Sequence, residues 1–442
     1  MTQQPILAWV AALGALLAGA AIAAPEPPPV RDALAKAARY FRSIATEGGY
    51  LWRYSLDLKE RAGENVATDT QIWVQPPGTP AVGEALLRAW RATGNREFLD
   101  AARAAADALV RGQLESGGWD YRVEFDPKLR IKWNYRGGDG GRNTSILDDD
   151  NTQSALRLLM DVHAASPNGK LKDAIDYGLA ALLKAQYPNG AFPQRFPSSS
   201  EAYGAYYTFN DNVMGDVVDT LLTAFKHYGD QRYLDAVRKV GDFMILSQRP
   251  EPQPIWAQQY DLNMKPAWAR KFEPASVCAG ESVGVMRCLI RIWLETGDEK
   301  YLKPIPPALA WYQRSQIAPN RWARFYELET NRPLYFTTKY ELVYTDRDLP
   351  THYVFQASFG APEFMKEYEQ VRRQGLAKTR ALRSRKLSAA ERAARRQQLE
   401  PGVREIIAAL DEQGRWVTDG QIQCRTFIRN LDTLSEYLEM SR

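Results

Sequence analysis

One turn returns along this chain and restricts its fold more than any other feature. TGNREFLDAA from Thr93, YGDQRYLDAV from Tyr228 and TGDEKYLKPI from Thr296 share one layout: a glycine, a polar residue, then a fresh amphipathic start. Gly229 and Gly297 lie 68 residues apart, and Gly94 precedes Gly229 by 135, close to twice that interval. SPNGK at Ser166–Lys170 supplies the missing copy. Apolar residues at helical spacing flank each turn: Gly83–Arg91 then Asn95–Leu114, Thr152–His163 then Leu171–Lys184, Val217–Tyr228 then Tyr233–Leu246, Val285–Glu295 then Tyr301–Tyr312. A further helix pattern covers Arg31–Ile44. A helical hairpin cannot bury its apolar stripe alone, so repeated copies stack or close into a ring. The expected fold is mainly α, an (α/α) toroid of repeated helical hairpins with a substrate groove at one end. A linear solenoid is the alternative. Aromatic, glycine-rich loops recur after the hairpins, at Gly117–Tyr121, Asn189–Pro193 and Gln413–Trp416. In a toroid such loops gather over one mouth.

The charge distribution argues about partners. The net charge is +4, but Val371–Arg396 alone holds ten Arg or Lys against one Glu, leaving about −5 for everything else. A mildly acidic body does not favour nucleic acid as partner. The basic run reads as an exposed helix, either a solvated face or a grip on polyanion or the cell envelope. Pro401 is expected to end it, with helices at Arg404–Leu410 and Leu431–Leu438 closing the chain. An Ala/Leu/Gly run ending at Ala23-Ala24-Pro25 resembles a signal peptide, although no Lys or Arg precedes it; a membrane tether is the rival reading. The expected organisation is a signal peptide at 1–24, a catalytic toroid at 25–365, and a basic helical extension at 366–442 packing back on the toroid. The expected protein is a periplasmic or secreted monomer without an integral membrane partner. Three cysteines, Cys278, Cys288 and Cys424, leave at least one unpaired, and with three histidines they form no zinc pattern. There is no GxSxG, no HExxH and no phosphate-cradling glycine loop with lysine.

Three segments offer chemistry. Asp148, Asp149 and Asp150 stand together just before a helix, where one position, Asp150 or Asn151, serves as cap. The other carboxylates then need hydrogen bonds or a hard cation. Tyr206–Met214 repeats this situation with Asn210, Asp211 and Asn212 at the next helix mouth. A toroid brings both together, and clustered carboxylate and amide oxygens suit Ca²⁺ better than Mg²⁺. Tyr187 and Phe192 in YPNGAFPQ carry aromatic faces that suit a sugar ring, or equally a rigid packed loop. In the third segment Trp256 leads to Arg270 and Lys271, followed later by Arg321 and Arg324. Arginine beside aromatic rings grips carboxylates bidentately; each arginine taken singly reads equally as a surface ion pair.

These segments together resemble the polysaccharide lyase family 10 pectate lyases. AQYPNGAFPQRFP from Ala185 is similar to the family's Q-Y-P-N-G-G-W-P-Q-x-Y-P motif, and YTFNDNVM from Tyr207 to its T-F-N-D-x-A-M motif. WAQQYD from Trp256 with PAWARKFEP from Pro266 resembles W-x-x-Q-x-D … P-x-x-A-R-x-x-E-x-P, and Trp322–Tyr326 resembles W-A-R-F-Y. Thr144–Thr152 resembles T-x-x-D-N-x-x-T, placing Asp148 on its Asp. The resemblance spans roughly residues 130 to 335. It implies a toroid that cleaves polygalacturonate internally by Ca²⁺-assisted β-elimination. It further implies Arg270 as the catalytic base and Asp148 and Asp211 as calcium-side acids, helped by Asn210 and neighboured by Asp149. Arg321 and Arg324 would hold substrate carboxylates. Departures are Gly190-Ala-Phe192-Pro for GGWP, the Asn210-Asp211-Asn212 order, and the added charge of three consecutive aspartates. Alternatives are a lyase for another polyuronate or a glycosaminoglycan, an inverting glycoside hydrolase on a similar toroid, or a noncatalytic polysaccharide-binding protein.

Overall fold

The recurring turn builds the fold by a matched pair of caps. Gly94, Gly229 and Gly297 each end a helix in the left-handed region, at φ of 75°, 69° and 74°. The next residue, Asn95, Asp230 or Asp298, caps the following helix by accepting from the N–H two positions on. Asn168 performs the same cap in the fourth copy. The computed structural model describes residues 29–198 and 203–442, so the expected signal peptide lies outside the described residues.

Among the described residues there are thirteen α-helices, one of them a single turn at Pro127–Arg130. The others are α1 (Val30–Ile44), α2 (Thr79–Thr93), α3 (Arg96–Arg111), α4 (Asn151–Ala165), α5 (Gly169–Ala185) and α6 (Val213–Tyr228). They continue as α7 (Gln231–Ser247), α8 (Ala279–Thr296), α9 (Ile305–Arg314), α10 (Ala361–Ser384), α11 (Ala389–Ala408) and α12 (Cys424–Glu439). The even-numbered helices form the inner wall, with α12 against α2 and then α4, α6, α8 and α10 in turn. Among the outer helices, α3 backs α2, α5 backs α4, α7 backs α6, and α1 packs on α12. This is an (α/α) toroid.

Four expectations about its elements change. Tyr301–Tyr312 is not one helix: a 3₁₀ turn at Glu299–Leu302 precedes α9, because Pro304, Pro306 and Pro307 remove donors at its start. The basic run divides into α10 and α11, separated before Ser388, whose side chain and Glu391 form a reciprocal capping box. Pro401 does not end α11, which continues to Ala408 on an exposed surface where water can serve the freed carbonyl. The 365/366 boundary falls inside α10, and the last 77 residues (366–442) supply inner-wall helices rather than an extension.

Three of the ten basic residues tie this part of the chain to its neighbours. Arg380 donates to the terminal carbonyls of α8 at Leu294 and Glu295, Arg372 pairs with Glu299, and Arg395 pairs with Glu436 of α12. All three cysteines are free and buried. No described helix is long and apolar enough to cross a membrane.

The aromatic loops pin each hairpin from inside. The indole N–H of Trp119 donates to Leu109 O at 2.8 Å, Trp256 to Met244 O at 2.7 Å, Trp322 to Tyr312 O at 2.8 Å and Trp416 to Ile406 O at 2.8 Å. Each acceptor is a carbonyl in or next to an outer helix's last turns, where intrahelical partners run out. Phe192 fills the corresponding place without a donor and is fully buried. Gly190 makes that turn possible: at φ 96°, a Cβ there would sit 2.1 Å from Lys239 O.

Candidate active site

Two inner helices begin in the same unusual way. A 3₁₀ turn at Asp148–Asp150 leads into α4, and one at Asn210–Asn212 leads into α6. In each, the second and third residues are left-handed: Asp149 and Asp150 at φ 54° and 57°, Asp211 and Asn212 at 47° and 58°. Asp and Asn tolerate that region better than other residues bearing a Cβ, which accounts for both segments being built from nothing else. The expected side-chain caps are not formed. Asp150 instead pairs with Arg157 at 2.5 Å, and Asn212 Nδ2 donates to Asp216 Oδ1 at 2.7 Å. The two turns pack against each other at the mouth.

This packing gathers carboxylates with too few partners. Burial, and then the charges of Asp211 and Asp149, push Asp148 up to about 8. Its Oδ1 is buried without any hydrogen bond. Burial followed by Asp211 pushes Asp149 up to about 6, although the Tyr121 hydroxyl donates to it at 3.4 Å. Asp211 lies at the exposed edge of the mouth, yet desolvation by its surroundings raises it as well, and Asn210 Nδ2 donates to it at 2.5 Å. Gln258 Nε2 holds Asn210 Oδ1 at 2.8 Å.

Opposite stands Arg270, with Nη2 at 4.0 Å from Asp211 Oδ2. Glu273, 1% exposed, holds it bidentately: Nε donates to Oε2 at 2.8 Å and Nη2 to Oε1 at 2.5 Å. The hydrogen bonds and charge of Glu273 outweigh burial and keep Arg270 firmly a guanidinium. For Glu273, burial alone would raise the carboxyl, but the Arg270 contacts prevail and lower it. Tyr353 donates to Glu273 Oε1 at 3.2 Å and turns its ring toward both Arg270 and Arg324. Arg324 reaches Glu281 Oε1 at 3.0 Å. Burial, eased by Arg324 and reinforced by Asp211, brings Glu281 to about 7.

Asp148, Asp149, Asn210, Asp211 and Arg270 therefore meet at one mouth, with Arg324 joined through Tyr353 and Glu281. Other expected residues do not join them. Phe192, expected as a sugar platform, and Trp256, expected beside the substrate, are both fully buried, and the Trp256 indole turns inward to Met244 O, so neither ring faces the mouth. Tyr187 is half-buried, its hydroxyl donating to Ala205 O and its ring edge-on to Tyr207. Lys271 lies over the Tyr340 ring at 3.6 Å. Arg321 lines a different depression. Sequence reasoning missed Tyr353 and Trp268. Trp268 is 48% exposed, edge-on to Phe336 and two residues from Arg270, and that spacing is the signal that could have found it.

An excess of buried, under-partnered carboxylate oxygen fits a hard cation. Among the described residues, no three or more His, Cys, Asp or Glu side chains form a ready-made metal cage.

Residues 124–321 match the model of the pectic acid lyase family. A family 10 polysaccharide lyase from Cellvibrio cellulosa is 22% identical, covers 66% of this chain and 96% of its own, and superimposes with a TM-score of 0.51. An alanine mutant of a family 10 polysaccharide lyase from Cellvibrio cellulosa, solved with trigalacturonic acid, is 22% identical over 66% of this chain and 97% of its own, at a TM-score of 0.50. These two structures are similar in fold. No curated protein matches the chain. The matched segment, a little under half of the chain, holds the carboxylate turns, Arg270, Glu273 and Glu281, and its similarity to the pectic acid lyase family supports a pectate lyase-like enzyme.

Proposed function

We propose that this lyase cleaves polygalacturonate by β-elimination with Ca²⁺, acting in the periplasm or outside the cell. The observation that carries the reading is the juxtaposition of Arg270 with the under-partnered carboxylates of Asp148, Asp149 and Asp211 in one open mouth. A polyanionic sugar would be repelled by that cluster unless cations intervene, and Arg270 and Arg324 supply only part of the compensation. Asp148, Asp149 and Asp211, with Asn210, would hold Ca²⁺, which would neutralise the uronate carboxylate and acidify its C5 proton.

Arg270 takes the C5 side of the scissile uronate. Its charge, secured by Glu273, is available to attract the substrate carboxylate on binding. To accept the C5 proton it first passes one of its own along an existing hydrogen bond to Glu273, an uphill transfer in the free enzyme where the pair is held charged, so the working base is the Arg–Glu pair. The C5–H electrons then form the C4=C5 bond, the C4–O bond breaks, the glycosidic oxygen leaves with a proton taken from water, and the Arg–Glu pair releases its extra proton to solvent. Arg324, fixed by Glu281, binds a neighbouring carboxylate, and exposed Trp268 offers a ring face beside it.

The test is a panel of polygalacturonate, alginate and glycosaminoglycans followed by ultraviolet absorbance and mass spectrometry. Unsaturated uronyl products from polygalacturonate, lost with chelator and with Arg270→Ala, are expected. Depolymerisation with saturated products would point to hydrolysis, and product formation unaffected by exhaustive chelation would remove calcium from the reading.

A further inference from the structure

We propose that the depression beside Trp322–Ala323 is an accessory site for the carboxylate of a second uronate unit, distant from the scissile bond. Its volume is about 630 Å³, and its lining includes Arg321, Tyr335, Tyr344, Asp346, Arg347 and Gln356. Arg321 and Arg347 are exposed, and among the described residues neither guanidinium has a hydrogen bond or ion pair. That separates them from Arg270 and Arg324, which Glu273 and Glu281 occupy. The carboxylate in the lining, Asp346, already accepts from Gln356 Nε2 at 3.2 Å. Two unpaired forks against one engaged carboxylate leave the depression net positive, and an arginine fork matches a carboxylate in shape as well as charge.

The walls suit a sugar ring. Tyr335 is buried and presents a floor. Tyr344 is held as a wall by the Arg332 guanidinium 3.5 Å from its ring centroid and by donating to Glu327 at 2.5 Å. A rigid aromatic wall loses little conformational freedom on binding.

The depression also belongs to the same substrate path. Gln356 follows Tyr353 by three residues in one extended segment; Tyr353 donates to Glu273, and Phe355 O accepts from the Arg324 N–H. One face of this segment serves the reacting centre while its next residues wall the depression. Tyr335, Tyr344, Asp346, Arg347 and Gln356 all lie beyond residue 321, past the end of the family match. Its ligand class, a polyuronate long enough to reach both places, rests on the function proposed above.

Calorimetric titration in an Arg270→Ala background, where cleavage is stopped, tests the site. The ligands are galacturonate oligomers of graded length and their methyl esters. Adding Arg321→Ala and Arg347→Ala together should weaken binding of long oligomers about tenfold, on the scale of one exposed bidentate contact plus its ring contact. Methyl esters should bind both proteins alike, and lysine at both positions should restore part of the loss. Equal affinity of the two proteins for every length, with circular dichroism showing both folded, overturns the site. Absorbance assays on the unmutated chain separate the outcomes. Unsaturated product without an affinity difference overturns the accessory site alone. An affinity difference without unsaturated product overturns β-elimination and leaves the site standing. Failure of every oligomer to bind overturns both.

Discussion

Replacing Asp148 by Asn should stabilise the calcium-free protein, and increasingly so as pH rises. In the folded chain Asp148 sits at about 8 and Asp149 at about 6, against an ordinary 3.8 for each. Between those limits the folded state binds more protons than the unfolded state. Stability therefore falls as pH climbs from about 4 through 8. Moving one carboxyl from 3.8 to about 8 costs at most ~6 kcal/mol once it ionises. Asp148 borders an open groove, and solvent screening reduces the figure to about 3 kcal/mol. Asp148→Asn removes this cost, so in chelator at pH 8 the variant should exceed the parent by that amount. For a chain of this length that is roughly 3 °C in Tm. The advantage should shrink toward zero at pH 4, where both forms are neutral. Calcium should raise the parent's Tm at pH 8 and leave the variant's almost unchanged, because the cation replaces the missing partner of Asp148 Oδ1. Differential scanning calorimetry from pH 4 to 8, with chelator and with calcium, measures both quantities. A parent-minus-variant difference that is flat across pH, or equal calcium stabilisation of the two, refutes the reasoning.

Trp256→Ala should cost about 3–5 kcal/mol of stability by opening a cavity and stranding Met244 O, whereas Trp268→Ala should leave Tm near the parent's and raise KM for polymer. Thermal melts beside steady-state kinetics distinguish the two tryptophans. Glu273→Gln should cost about 2 kcal/mol at pH 7, discounted for the half-exposed Arg270, and suppress turnover by releasing the guanidinium. Its stability penalty should fade below pH 4.5, because a carboxyl lowered by folding contributes only where it is ionised; urea midpoints at pH 7 and pH 3 check the sign. Arg380→Ala should lose about 1 kcal/mol through the exposed carbonyls at the end of α8, read by the same urea titration.

Much of the architecture was legible because helix turns are local. The glycine-then-Asp or Asn pair at Gly94, Gly229 and Gly297 specifies a left-handed stop and a capped restart within a few residues, whatever surrounds them. The carboxylate turns were legible for a similar reason: two consecutive left-handed positions leave a short list of side chains, and Asp148–Asp150 and Asn210–Asn212 use that list. Pro401 misled because a proline's effect on a helix depends on who serves the freed carbonyl, and that is a question of exposure. The basic run misled for a comparable reason. Its charges look free in one dimension, yet Arg372, Arg380 and Arg395 find partners on the turn after α8, on α8's end, and on α12.

By itself, then, the chain determined its hairpins, their repetition, and the residue types at each helix mouth, since these follow from backbone conformations set by neighbours in sequence. Only the closed ring decided what each side chain does there. Trp256 and Trp268 are twelve residues apart and chemically identical, but one indole faces an outer-helix carbonyl and the other faces solvent beside Arg270. Arg321 and Arg324 are three apart, but one is tied to Glu281 through a contact 43 residues distant in the chain and the other opens on a separate depression. Desolvation and mutual charge, which push Asp148 up and hold Arg270 cationic, depend on groups brought together across the mouth, and no local pattern carries that information.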